Sequence, residues 1–103
     1  MSLLILNAVP NCNHFGSNAL AVFRSACLDS IAKDPTHAIF YRLLADHADH
    51  LIDAYHQVPL DASEADRDFE NLTHIVAIAE DASGKAPEIQ LAAVNQIALA
   101  RYF

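Results

Sequence analysis

Apolar residues recur every three or four positions through most of this chain. At about 100° per residue they collect along one side of several helices. The longest such stretch runs from Thr36 to Val58. There Phe40, Leu43, Leu44, His47, Leu51, Ala54, Tyr55 and Val58 share one broad face, and Arg42, Asp46, Asp49, Asp53 and His56 share the opposite one. This is the pattern of an amphipathic helix with a single buried side. Asp34-Pro35 before it reads as an N-cap with proline at the first helical position, where a missing N–H costs nothing. Pro59 after it stops the helix and biases Val58 away from helical geometry.

Three more helices follow from the same reasoning. Ser17 to Lys33 places Leu20, Phe23, Cys27, Leu28 and Ile31 on one face, with Ser17 as N-cap. Only Asp34-Pro35 separates it from the long helix, so the two meet at a tight corner or pack antiparallel. A third helix starts near Asp61, where Asp61 and Glu64 have capping-box spacing, and ends before Gly84. Gly84 stands where left-handed geometry costs glycine little. Ala65, Phe69, Leu72, Val76 and Ala79 form its inner stripe, and Ile75 to Ala79 is apolar all round. The fourth runs from Pro87 to Phe103, with Ile89, Leu91, Val94, Ile97, Ala98, Leu99, Tyr102 and Phe103 nearly encircling it. Residues 1–16 carry the apolar run Leu3-Leu4-Ile5-Leu6 and the turn-rich Asn11 to Gly16, and read as an irregular or extended arm. The expectation is one all-α domain over 1–103: arm 1–16, then an antiparallel bundle of about four helices over 17–103.

Composition sharpens this picture. Two glycines and abundant alanine favour helix over sheet. Six basic residues face thirteen acidic ones, for a formal charge of -7. Arg24, Lys33, Arg42, Arg67, Lys85 and Arg101 are scattered singly, so no basic footprint exists for nucleic acid or an anionic membrane. No run approaches the ~20 apolar residues of a membrane span. The Leu3–Leu6 run lacks a basic flank and is too short for a signal segment. Two cysteines make no disulfide framework. These features predict a cytoplasmic protein without a membrane partner.

Candidate chemistry is sparse. Asp46, His50 and Asp53 lie three or four residues apart, so they share one helix face and offer donors suited to a divalent transition metal. His47 lies on the apolar side, as a neutral core residue, a ligand or a pH-sensitive group. His74 and Glu80 on the third helix could add donors. Cys12 and His14, two residues apart in a loop before a helix, allow a thiolate site, but no catalytic signature frames them. Phosphate-cradling loops, nucleophile elbows and dinucleotide fingerprints are absent. Six histidines against the acidic balance also make charge near pH ~6.5 a variable. The strongest expectation concerns surface. A terminal helix this apolar leaves too little wet face for a small monomer, so a two-fold homodimer through helices three and four is expected. Ile75, Ile78, Val94, Ile97 and Tyr102 are the candidate interface residues. The function expected is a self-associating interaction or regulatory module with a possible further protein partner; the alternative is a divalent-metal binder or metalloenzyme using residues 46–56.

Overall fold

The computed structural model describes Leu3, Ile5 and residues 17–57 and 62–100. Among them stand four α-helices: α1 (Ser17–Lys33), α2 (Ala38–Gln57), α3 (Ala62–Ala82) and α4 (Pro87–Ala100). A short 3₁₀ turn, Pro35–His37, leads into α2. The protein is thus a small all-α bundle, as the periodicity requires. Its Cα radius of gyration, 13.2 Å, matches the ~13 Å expected of a folded chain of about 100 residues.

The bundle is two helical hairpins. α1 packs along most of α2, and an Arg24 Nη1 to Asp49 Oδ1 bond of 2.8 Å pairs the middle of one with the middle of the other. α3 packs back on α4, and α2 touches both. α2 is therefore the shared wall. That explains why its buried face is broader than the sequence pattern. Phe40, Leu44, His47 and Leu51 are inside as expected, but so are Tyr41, Ala45 and Ala48. A helix with neighbours on two sides buries more than one stripe.

One continuous core results. Leu20, Phe23 and Cys27 of α1 meet Phe40, Tyr41 and Leu44 of α2, Leu72, Ile75, Val76 and Ala79 of α3, and Ala93 and Ile97 of α4. Leu3 and Ile5 are also buried there, and the Leu3 N–H donates to Glu80 Oε2 at 2.8 Å. Those two arm residues therefore belong to the core. Cys27 behaves as a small apolar residue, and burial pushes its thiol up to about 12. Cys12 and His14 lie outside the described residues.

Two helix ends differ from expectation. Asp34 does precede the turn into α2, but its carboxylate makes no capping bond; the side chain is used elsewhere. Gly84 does follow α3, yet no described glycine has a positive φ. The exit from α3 keeps right-handed turn geometry instead. Ser83 N–H donates to Ala79 O at 3.0 Å, Lys85 N–H to Ala82 O at 3.0 Å, and Ser83 Oγ to Glu80 O at 2.8 Å. The last carbonyls of α3 are satisfied this way, and left-handed glycine is not needed.

Candidate functional site

Three places on the bundle stand out, and the second and third answer expectations drawn from the sequence. The first is the end of the bundle where both hairpin corners lie. His37, only 3% exposed, bridges them. Its Nδ1–H donates to Asp34 Oδ2 at 2.9 Å and its Nε2–H to the Ser83 carbonyl at 2.7 Å. The Tyr41 hydroxyl donates to the same Asp34 oxygen at 2.6 Å. A carbonyl only accepts, and so does an ionised carboxylate, so both ring nitrogens must carry hydrogen. The arrangement therefore favours the imidazolium over the neutral ring. Burial pulls the imidazole pKa down, but the Asp34 bond, the Ser83 carbonyl and the Asp34 charge together outweigh it and leave it raised. The Tyr41 and His37 bonds hold Asp34 below the usual carboxylate range.

An Asp–His pair invites a catalytic reading, but this geometry opposes one. A general base needs a ring nitrogen free to meet a substrate. Here both are spent on the protein, in a buried position. The group acts as a clasp between the α1–α2 corner and the α3–α4 corner. Its signal in the sequence was slight: His37 lies one turn before Tyr41, but Ser83 is 46 residues away.

The second place is the charged side of α2. Asp46 is half-buried, while His50 and Asp53 are exposed. Asp46 and Asp49 line a cleft of about 170 Å³ with Leu28, Arg42 and Ala45, and Asp49 accepts the Arg24 bond. Arg42 also borders a wider apolar cleft of about 420 Å³ with Ile31, Ala38 and Ile39. Among the described residues no three His, Cys, Asp or Glu side chains are placed to hold a metal ion. His74 is exposed on α3, and Glu80 is engaged by the Leu3 N–H. His47 is buried on the core side of α2, apart from that row.

The third place is the surface of α4. The residues expected at an interface divide there. Ile75 and Ile97 are buried in the subunit's own core, and Ile78 and Val94 pack partly against it. Tyr102 lies outside the described residues. The bulky apolar side chains that α4 does expose are Ile89 (49%), Leu91 (62%) and Leu99 (63%). Sequence pattern alone could not separate these groups, because a nearly all-apolar helix does not declare which side its neighbours occupy.

The chain matches no family model, no curated protein and no solved structure. No described helix is long and apolar enough to cross a membrane.

Proposed function

We propose that this chain is a cytoplasmic, self-associating interaction module whose working surface is the outer side of α4. The observation that carries the reading is the exposure of Leu91 and Leu99 on one side of α4, with Ile89 exposed further round the helix. From Ile89 to Ala100 that helix holds no charged residue, on a chain whose formal charge is -7. Scattered apolar side chains are ordinary on a surface, but a concentrated, uncharged, apolar helix face marks an interaction site. The lack of charge also lets two acidic chains approach there without direct repulsion.

The test is the mass of the tag-free protein by light scattering, from micromolar to millimolar concentration. The reading expects a shift from monomer toward dimer as concentration rises. A monomeric mass throughout would retire it. A three-turn helix face falls short of the ~800 Å² per partner of a standard interface, so the expected dimer is a weak, exchanging one.

A further inference from the structure

We infer that two copies dock through α4 laid antiparallel on its own copy, with Asn95 on the two-fold axis. This rests on the reading of the chain as self-associating, and adds the partner surface, its direction and its register.

Leu91 and Leu99 stand four residues either side of Asn95, and all three are exposed. At about 100° per residue the two leucines lie roughly 80° apart on the helix, with Asn95 midway between them. Ala92 and the half-buried Ala98 stand three residues either side of the same point. The face is thus palindromic about Asn95. A two-fold interface makes every contact twice, residue i on j and j on i, so like residues spaced evenly about one point meet like residues across the axis. Centred on Asn95 and run antiparallel, each Leu91 meets the partner's Leu99, and each Ala92 the partner's Ala98. The small alanines let the helix backbones come close.

Asn95 suits the axis. Its amide carries both donor and acceptor, so two copies can satisfy each other reciprocally. A register displaced by three or four residues would set that amide against alanine or leucine, with a buried polar group unmatched, which is how a single core asparagine fixes pairing in helical assemblies.

Direction follows from charge. Glu88 is exposed at the start of α4, near the same meridian as Asn95. Parallel helices would set the two Glu88 carboxylates side by side. Antiparallel ones place them at opposite ends of a helix about 21 Å long, beyond a Debye length in ordinary buffer. Antiparallel macrodipoles also oppose favourably. The two clefts beside α1 and α2 are the competing surfaces: Arg42, Asp46 and Asp49 border the smaller, Ile31, Ala38, Ile39 and Arg42 the larger, and neither has a spacing that is self-complementary.

The test exploits symmetry. Leu91→Glu alone and Leu99→Lys alone should each weaken dimerisation at least about tenfold, because each substitution enters the interface twice. The double variant L91E/L99K should regain it. Antiparallel pairing brings each new carboxylate against a new ammonium, whereas parallel pairing brings like charges together. Sedimentation velocity reads all four proteins, with helicity checked by circular dichroism. Rescue in the double variant, lost again at high salt, is the expected result. A double variant as monomeric as the singles overturns the antiparallel register while leaving self-association standing. Singles that dimerise like the native chain overturn the α4 face. A monomeric native chain overturns both this inference and the reading beneath it. Should a charged variant unfold, Asn95→Cys in a Cys12→Ser background is the second measurement. Mild oxidation should give a covalent dimer, and its failure to form while the native chain still dimerises overturns the placement of Asn95 on the axis.

Discussion

Replacing His37 by phenylalanine isolates the clasp. The phenyl ring keeps the volume and the neighbourhood of Phe40, whose ring centroid lies 6.2 Å away, so no cavity confuses the result. What disappears is a buried cation and two hydrogen bonds, at 2.9 and 2.7 Å. Removing one partner of a fully buried ion pair costs about 3–5 kcal/mol. Two features soften this here. Asp34 keeps its bond from Tyr41 and has a side chain 17% exposed, and the Ser83 carbonyl keeps the Gln90 amide at 3.3 Å. The expected loss is therefore about 2–4 kcal/mol at pH 5, or about 8–16 °C in midpoint for a domain of this size. The assay is urea unfolding followed by circular dichroism, at one low protein concentration so that dimerisation does not add to stability. The pH course is equally specific. The folded pKa of His37 is raised, so its contribution is complete below the unfolded value of ~6.5 and fades as pH climbs through the folded one. The folded pKa of Asp34 is lowered, so its contribution is present above ~3.9 and lost as pH falls through the folded one. The gap between native and variant chains should be widest near pH ~5 and narrow toward alkaline pH. A loss under about 0.5 kcal/mol, the ordinary effect of a surface change, would refute the clasp. So would a gap that widens from pH 5 to 9.

Other outcomes follow from the same structure. Arg24→Ala should cost under about 1 kcal/mol, and less at high salt, because the 2.8 Å pair with Asp49 is 41% and 49% exposed; a salt-independent loss of several kcal/mol would contradict that. Cys27, buried with its thiol pushed up to about 12, should resist a thiol reagent in the folded chain and react only on unfolding, as absorbance of the released product will show. Zinc, nickel or manganese should leave the thermal midpoint unchanged, since no described group of three donors is placed to hold a metal ion; a reproducible rise would put a site on α2 back in view.

What the sequence made legible, and what it hid, divides along physical lines. The bounds of α1 and α2 were readable because Asp34-Pro35 and the proline at 59 are local signals, fixed by backbone chemistry a few residues long. The core positions Leu20, Phe23, Phe40, Leu44 and Leu72 were readable because helical period and burial coincide there. Tyr41, Ala45 and Ala48 were not, because their burial comes from packing partners far along the chain. His37 shows the same limit more sharply. Its charge state depends on a carbonyl at Ser83, brought near only by two hairpin corners meeting. Ile75 and Ile97 carried an interface expectation because they are apolar; the fold spends them internally and leaves Leu91 and Leu99 outside. Hydropathy states how much must be covered, and tertiary placement decides which side chains remain to be covered.

The most direct test of the proposed α4 docking surface is the backbone amide spectrum of the native protein, recorded by nuclear magnetic resonance across a wide concentration range. Concentration-dependent shifts should cluster at Leu91, Ala92, Asn95 and Leu99, with the α1–α2 clefts unmoved. Spectra that do not change with concentration, or shifts centred on Ile39 and Arg42, would contradict it.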